Sequence, residues 1–283
     1  MNVADAMTSR GDLVTVEVPG SRDDVLTYLQ EREFSSVPVV KSTDDGEEYR
    51  GLISREDLIA NPAEDQLAML MQDVPTITRD ATIEEAAQLM VEKGARRVPV
   101  VDGELEGIVT ITDVIRAIAE GETPGDATVG DLADDQVNTV WRKMPLPVAE
   151  RALWYAGVPF AVVLDDEGEM CGILTEVDII DVARVVQGET ETGDSLADDD
   201  EDWKWESIKA IGSRSMPSLD VKIPADPVEE YMTDDLVTVT RTKTARETAQ
   251  LMIRHDVEQI PLVAGGQLAG IVRDVHLLEA TYE

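Results

Sequence analysis

The chain is poor in the residue types on which many functions depend. Its 283 residues include one Cys, two His and 4% aromatic residues. The single Cys171 excludes an intrachain disulfide and permits a reducing compartment. The two histidines show no metal-binding spacing, and the sequence contains no Gly-x-Ser-x-Gly, Walker or Gly-x-Gly-x-x-Gly motif. We therefore expect a protein that is not an enzyme and has no dedicated metal site.

Long apolar runs and positive charge are also scarce. No apolar stretch approaches the roughly 18 residues of a membrane span, and no secretory signal pattern opens the sequence. The chain has 59 acidic residues against 24 basic ones, only seven of them Lys, and a formal charge of -35. This charge repels nucleic acid and anionic lipid. We expect a cytoplasmic protein. Because the acids are spread along the whole chain, the charge indicates a halophilic cytoplasm, with a dedicated acidic binding face as the alternative.

What the sequence does contain is a repeat. The pattern apolar-Pro-apolar-apolar, followed by a Gly-apolar-apolar step, occurs four times. The prolines of repeats 1 to 4 are Pro38, Pro99, Pro159 and Pro261, and the glycines are Gly51, Gly107, Gly172 and Gly270. Repeats 2 and 4 also share ten identical residues over the 24 positions that begin at Thr76. Self-similarity of this kind predicts a repeat architecture.

Each repeat has the pattern of a β-α-β-β-α unit, which predicts an α/β (α+β) fold. The predicted elements of repeat 2 are a strand at 76–78, a helix after Thr82, a strand from Val98 to Val101, a strand from Leu105 to Thr110 and a helix that includes Val114, Ile115 and Ile118. Thr82 and Glu85 have the spacing of a capping box, which opens a helix. The turn Asp102-Gly103 joins the two later strands into a hairpin.

This order of elements is accompanied by two local motifs. The chain opens with Val3-x-Asp5-x-Met7-Thr8, and the third strand of most repeats ends in Gly-apolar-apolar-Ser/Thr-x-x-Asp. Together they closely resemble the cystathionine-β-synthase (CBS) domain family. Four copies resemble two tandem pairs, called Bateman modules, each with a pseudo-twofold axis. We place the modules at 1–122 (repeats 1 and 2) and 126–283 (repeats 3 and 4), with an acidic insertion at 187–227.

Three repeats carry a hydroxyl and an acid in the same register. The pairs are Ser54 with Asp57, Thr110 with Asp113, and Thr175 with Asp178. The resemblance implies that the hydroxyl contacts phosphate oxygens and the Asp accepts hydrogen bonds from the ribose of an adenosine ligand. A vicinal diol suits a carboxylate, and a helix N-terminus suits a phosphate. The same spacing also predicts a helix cap with no ligand, and both interpretations stay open.

The resemblance implies further contacts to that ligand. Arg97 takes the position of a phosphate-contacting Arg, and the equivalent positions, Ser36, Gly157 and Gln259, are not cationic. An ion pair between Arg97 and nearby acids is the alternative. The remaining residues expected beside the ligand are Val37, Pro38, Thr76, Val98, Pro99 and Val158.

Two regions depart from the pattern. Repeat 4 has Arg273 and His276 where the others have a hydroxyl and an acid, which makes a ribose contact there doubtful. Residues 187–202 contain eight acids and no Lys or Arg, which predicts a solvated loop. Trp203 and Trp205 follow, and they either anchor the loop on its own module or dock a partner protein.

We expect a regulatory protein that senses AMP, ADP or ATP through its CBS pairs and acts on an unknown partner protein. The modules stack within one chain, as an intramolecular disc, or between two chains, as a homodimer. A ligand-independent scaffold or dimerisation protein is one alternative, and S-adenosylmethionine or a related nucleoside as the ligand is another. Nucleic acid and membranes are not expected partners.

Overall fold

The computed structural model describes residues 1–30, 36–44, 46–54, 57–58, 61, 64–182, 184–188 and 218–282. The helices in these ranges are α1 (Val3–Ala6), α2 (Arg22–Gln30), α3 (Leu67–Leu70), α4 (Ile83–Lys93), α5 (Ile111–Glu120), α6 (Val129–Leu132), α7 (Leu146–Ala156), α8 (Glu176–Val182), α9 (Ala245–His255) and α10 (Asp274–Glu279). No helix within them combines the length and the apolar character needed to cross a bilayer.

The strands form small sheets. They are β1 (Thr8–Ser9), β2 (Val16–Glu17), β3 (Ser36–Thr43), β4 (Gly46–Ser54), β5 (Arg97–Asp102), β6 (Glu104–Thr110), β7 (Thr139–Trp141), β8 (Phe160–Leu164), β9 (Met170–Thr175), β10 (Arg184–Gly188), β11 (Ser218–Lys222), β12 (Gln259–Ala264) and β13 (Gln267–Arg273). The sheet orders are β2-β3-β4, β1-β6-β5, β7-β8-β9, β12-β13 and β10-β11. Most of the acidic insertion, residues 189–217 with Trp203 and Trp205, lies outside the described residues, so its interpretation stays a prediction.

Contacts between Cα atoms divide the chain into two compact units. One unit contains Met1–Gln136 and Val237–Glu283, which carry repeats 1, 2 and 4, and the other is Val137–Leu236, which carries repeat 3. The mixed α/β class predicted from the repeats is confirmed in both units.

Repeat 2 confirms the predicted order of elements. The capping box forms as expected, because the N–H of Glu85 donates to Thr82 Oγ1 at 3.2 Å and the N–H of Thr82 donates to Glu85 Oε2 at 2.8 Å. α4 then ends at Gly94, which has a φ of 63°. The strand predicted at 76–78 is reduced to one parallel bridge between Ile77 and Val100. This difference is small, since two backbone hydrogen bonds still hold Ile77 on the sheet.

The hairpins correct the alignment of repeat 3. Pro38, Pro99 and Pro261 lie within their strands, opposite Leu52, Ile108 and Ile271. In repeat 3 the residue opposite Ile173 is Val162, and Pro159 lies before β8. The position of Arg97 is therefore taken by Phe160 rather than Gly157. Proline occurs here at the entrance of the strand, where no ladder hydrogen bond is lost.

Each repeat begins with a leading segment that packs on a different repeat. These leading segments are residues 1–9, 66–72, 127–134 and 227–233, and they lie on repeats 2, 1, 4 and 3 respectively. In each segment one fully buried apolar residue donates its N–H to the carbonyl just before the first helix of the receiving repeat. The pairs are Val3 with Ala81 at 2.8 Å, Leu67 with Gly20 at 3.2 Å, Val129 with Lys243 at 2.8 Å, and Val228 with Met144 at 2.9 Å. Repeats 1 and 2 thus exchange their leading segments.

The leading segments explain the repeated glycine of the Gly-apolar-apolar step. A Cβ on Gly107 would lie 2.5 Å from the carbonyl oxygen of Thr8, which belongs to the leading segment on repeat 2. The same holds on repeats 1, 3 and 4, where the distances from Gly51 to Gln72, Gly172 to Thr233 and Gly270 to Asp134 are 2.8, 3.1 and 2.9 Å. A side chain at this position would collide with backbone, so only glycine allows the close approach.

The first unit is held together through two kinds of inter-repeat contact. Repeats 1 and 2 meet through their sheets, where β4 lies against β6, so the predicted contact between them is confirmed. Repeats 2 and 4 meet through their helices, since α5 packs on α9 and α10, and α4 packs on α10. One apolar core joins these helices and includes Met90, Ile118, Met252 and Leu277, all 3% exposed or less. Repeat 2 is therefore in contact with both of the other repeats in its unit.

Candidate functional site

The three hydroxyl-acid pairs are all formed, and those of repeats 2 and 3 lie at the starts of α5 and α8. Asp113 Oδ2 accepts hydrogen bonds from the N–H and the Oγ1 of Thr110, both at 2.8 Å. Ser54 donates in the same way to Asp57 at 2.7 and 2.6 Å, and Thr175 donates to Asp178 at 2.8 and 2.7 Å. The capping interpretation is confirmed for the pairs that precede α5 and α8, and the Ser54-Asp57 pair has the same hydrogen bonds. It leaves the ligand interpretation open, because only one carboxylate oxygen takes part in each of these arrangements. In Asp113 the other oxygen, Oδ1, accepts a hydrogen bond from Arg116 Nη1 at 3.3 Å.

A pocket of about 300 Å³ lies at the start of α5, between repeats 1 and 2. Its lining residues are Thr8, Asp12, Leu13, Val14, Ser36, Pro38, Arg96, Arg97, Ile108, Thr110, Ile111, Thr112 and Glu258. They combine an apolar wall, several hydroxyls and two guanidinium groups. This volume is at the lower end of the range for small-molecule sites.

The pocket contains some of the predicted site residues and excludes others. Pro38, Arg97 and Thr110 line it. Val37 and Val98 are fully buried in the cores of their own repeats, Pro99 is buried, and Asp113, which is 9% exposed, lies behind Thr110. Ser54, at the end of β4, and Asp57 are half-buried, and Thr76 is exposed. Val158, Thr175 and Asp178 belong to the second unit and are half-buried.

Arg96, the neighbour of the predicted Arg97, makes the ion pair that was the alternative interpretation for Arg97. Its Nη2 lies 2.6 Å from Asp274 Oδ2 and 3.1 Å from Glu258 Oε1, and its Nη1 lies 3.4 Å from Asp274 Oδ1. Both acids belong to repeat 4. Burial by itself would lower the pKa of Arg96, but the hydrogen bonds and charges of Asp274 and Glu258 outweigh it and raise that pKa. Arg96 thus stays charged in a half-buried position.

Repeat 4 keeps the capping hydrogen bond, although a histidine replaces the aspartate. The N–H of Arg273 donates to His276 Nδ1 at 3.2 Å, so the imidazole occupies the capping position that Asp113 occupies in repeat 2. Burial, and then the charge of Arg273, lower the pKa of His276 from its usual value of 6.5, against the opposing charges of Asp134 and Asp274. A neutral imidazole with its proton on Nε2 fits both observations.

Sequence reasoning missed most of the pocket residues, and Leu13, Val14 and Glu258 show two different reasons. Leu13 and Val14 precede Thr15, which is the repeat 1 counterpart of Thr76, because Pro38 and Pro99 are 61 residues apart. That spacing was sufficient to find them. Glu258 enters the pocket only because repeat 4 packs on repeat 2, and no local pattern in the sequence indicates that contact.

Comparison with known proteins gives relatives along the whole chain. An uncharacterized protein of Methanocaldococcus jannaschii is 26% identical over 279 residues, which are 98% of this chain and 61% of that protein. The chloroplastic CBS domain-containing protein CBSX2 of Arabidopsis thaliana is 32% identical over 151 residues, which are 41% of this chain and 62% of that protein. The chain therefore spans about three-fifths of the length of these relatives.

A solved structure with the same overall fold comes from Pyrococcus horikoshii. This uncharacterized conserved protein is 28% identical, covers 99% of this chain and 100% of its own, and superposes with a TM-score of 0.70. The crystal structure of CBSX2 in complex with AMP covers 43% of this chain and 98% of its own, with 34% identity and a TM-score of 0.38. The sequence profile of the CBS domain matches residues 3–64, 67–120, 129–184 and 228–283, which are well over half of the sequence. The chain belongs to the CBS domain family.

Proposed function

We propose that this protein is a regulatory nucleotide sensor, and that the pocket between repeats 1 and 2 binds an adenine nucleotide. The observation that carries the proposal is that Arg96 and Arg97 line the same pocket as the start of α5 and apolar residues such as Pro38. Guanidinium groups and a helix N-terminus suit phosphate, and an apolar slot suits a base. In a chain with a net charge of -35, two adjacent guanidinium groups in a pocket are the groups suited to pair with an anionic ligand.

In this proposal the adenine lies against the apolar wall and the phosphates lie toward the two arginines. Thr110 and Thr112 supply hydroxyls at the helix start, where the N–H groups of the first turn have no acceptor inside the helix. Asp113 holds Thr110 in place and is the predicted acceptor for the ribose. The first pair of repeats binds the ligand more readily than repeat 4, because there His276 has replaced the acid. The predicted modules, 1–122 and 126–283, are the units that respond to the ligand and act on a partner protein.

Calorimetry in strong salt tests the proposal. AMP comes first, since CBSX2 is a sequence relative and has been crystallised with it, followed by ADP, ATP, adenosine and S-adenosylmethionine. We expect micromolar or tighter binding of at least one of the three nucleotides. Arg97→Ala should weaken ATP and ADP more than adenosine, because only the phosphorylated ligands meet the guanidinium. Tight binding of S-adenosylmethionine without any nucleotide would favour the nucleoside alternative.

Variants of the capping aspartates require a control that separates a loss of stability from a loss of ligand affinity. Asp113→Ala and Asp57→Ala should each weaken nucleotide binding at their own sites by about 1.5 to 3 kcal/mol, the scale of a hydrogen bond to a charged group. Both variants also lose a cap, which costs about 1 kcal/mol of stability. Asp24→Ala removes the same kind of cap, in which Ser21 donates to Asp24 at 2.6 Å, but lies outside the pocket. It should lose stability and keep its affinity.

A ligand-independent scaffold is the second candidate, and the capping geometry of all three pairs favours it. In that case Asp113→Ala and Asp24→Ala would behave alike, with equal losses of stability, and no nucleotide would bind the unmodified protein.

A further inference from the structure

Arg96 belongs at once to the pocket and to the contact between repeats 2 and 4. Its side chain lines the pocket together with Glu258. Its backbone carbonyl accepts the N–H of Ile111, at 3.1 Å, and so fixes the start of α5 beside Thr110 and Thr112. The guanidinium reaches out of repeat 2 to the two acids of repeat 4. A phosphate bound at the start of α5 would therefore lie beside Arg96, whose guanidinium is already paired with the two acids of repeat 4.

The two acids hold Arg96 with unequal strength. The Asp274 side chain is 8% exposed and contacts both terminal nitrogens, whereas the Glu258 side chain is 66% exposed and makes one contact at 3.1 Å. Removing the partner of a buried carboxylate is costly, because its charge is left without compensation. An exposed carboxylate returns to water at little cost. Any competitor for Arg96 will therefore displace Glu258 and leave Asp274 in place.

A phosphate group is such a competitor. Arg96, Asp274 and Glu258 together carry a net charge of -1, and a bound phosphate adds further negative charge to the same small region. Two carboxylates and a phosphate around one guanidinium repel one another, and of the two carboxylates Glu258 is the one that is exposed enough to move into solvent. A ligand without a phosphate, such as adenosine, creates no such conflict.

We propose that Glu258 and the phosphate of the ligand compete for Arg96. The pairing of Glu258 with Arg96 then weakens the binding of phosphorylated ligands. When such a ligand does bind, Glu258 is released, and this release transmits the binding event to repeat 4. The inference rests on the proposed function of the pocket. The carbonyl of Glu258 accepts the N–H of Asp274 at 2.8 Å, so Glu258 is tied to the first residue of α10. α10 packs on α4 and α5 of repeat 2. Ligand binding in the pocket is thus coupled, through the side chain of Glu258, to the packing of α10 on α4 and α5.

The test uses the full chain, with AMP and adenosine as the two probes, measured by calorimetry in strong salt. Glu258→Gln keeps the size of the side chain and removes its charge. We expect its affinity for AMP to rise about three- to tenfold, the effect of removing one nearby like charge in a solvated site, with adenosine binding changed by less than about twofold. The control Glu122→Gln removes the same charge from an exposed position outside the pocket and should change neither ligand by more than about twofold.

A double variant separates competition for Arg96 from a general effect of charge. In an Arg96→Gln background, adding Glu258→Gln should no longer raise the affinity for AMP by more than about twofold, since the contested cation is gone. The inference is overturned if Glu258→Gln leaves AMP binding unchanged, if it improves adenosine equally, or if the gain persists without Arg96. If the unmodified protein binds none of the nucleotides, the proposed function fails and this inference fails with it. If it binds them and the Glu258 series shows no selective gain, only this inference fails.

Discussion

His276 shows how one residue changes its chemistry and keeps its structural role. In repeats 1 to 3 a carboxylate accepts the N–H of the hydroxyl residue that ends the third strand, and in repeat 4 the imidazole Nδ1 of His276 accepts the equivalent N–H at 3.2 Å. An acceptor nitrogen has to be unprotonated. The cap in repeat 4 is therefore the one that depends on the charge state of a group titrating near neutral pH.

This dependence gives a prediction about pH. In the unfolded chain His276 takes up a proton near its usual pKa of 6.5, whereas burial holds the pKa of the folded imidazole lower. Just below pH 6.5 the unfolded state therefore binds more protons, and the free energy of unfolding falls as pH falls. Urea unfolding of the unmodified protein and of His276→Asn, measured from pH 8 to pH 5 in strong salt, should show this loss only where the histidine is present. Asn retains a capping oxygen and does not titrate, so parallel curves for the two proteins would contradict the role of His276.

The residues of the candidate site were only partly predictable. The hydroxyl-acid pairs follow from local spacing, and all of them form. The sequence favours Arg97 over Arg96, because the position of Arg97 relative to Pro99 matches the family, and Arg97 does line the pocket. The engagement of Arg96 by Asp274, 178 residues further along the chain, has no signal in local sequence, because it arises from the packing of whole repeats.

At the scale of single elements, the glycine of each Gly-apolar-apolar step is the most constrained position. Gly107→Ala should destabilise the protein by about 1 to 3 kcal/mol, the usual cost of overpacking, because its Cβ would lie 2.5 Å from the backbone oxygen of Thr8. Gly11→Ala is the matched control. Its Cβ would lie 3.9 Å from the nearest atom, Ser9 Oγ, so we expect a change within about 0.5 kcal/mol. Equal changes in the free energy of unfolding for Gly107→Ala and Gly11→Ala, measured with denaturant, would show that the close approach of the leading segment to β6 does not constrain this position.

The elements themselves were predictable where the cause is local. The capping box of Thr82 and Glu85, the turn at Gly103 and the alternation of short apolar runs place α4, β5 and β6 within one or two residues. The leading segments were not predictable in the same way. Val3 and Leu67 lie in short helices whose partners are on another repeat, and periodicity within a window carries no information about which repeat receives them. In repeat 3 the proline lies earlier relative to the strand, so the sequence alignment placed the equivalent of Arg97 at Gly157, three residues before its true position at Phe160.

At the scale of the molecule, the net charge of -35 sets the conditions under which the fold is stable. At about 0.1 M salt the Debye length is about 10 Å, and at 1 M it is about 3 Å, so only strong salt screens repulsion between neighbouring acids. We expect the free energy of unfolding to rise steadily between about 0.1 and 2 M KCl. Sucrose at matched osmolality, which favours compact states without screening charge, should stabilise the protein less. Stability that is flat or falls as KCl is added would contradict adaptation to a salt-rich cytoplasm.

The exchange of leading segments also has a consequence for how such a protein arises. The matched family segments 3–64 and 67–120 each begin with a leading segment, so the stretch of sequence that is duplicated is offset from the body that folds. An ancestral gene that encoded one such stretch would have produced a chain whose first residues fit only a second molecule. Its smallest complete fold would have been a dimer with mutually inserted ends. Joining two such stretches in one chain makes the exchange intramolecular and leaves the pocket residues of each half free to differ.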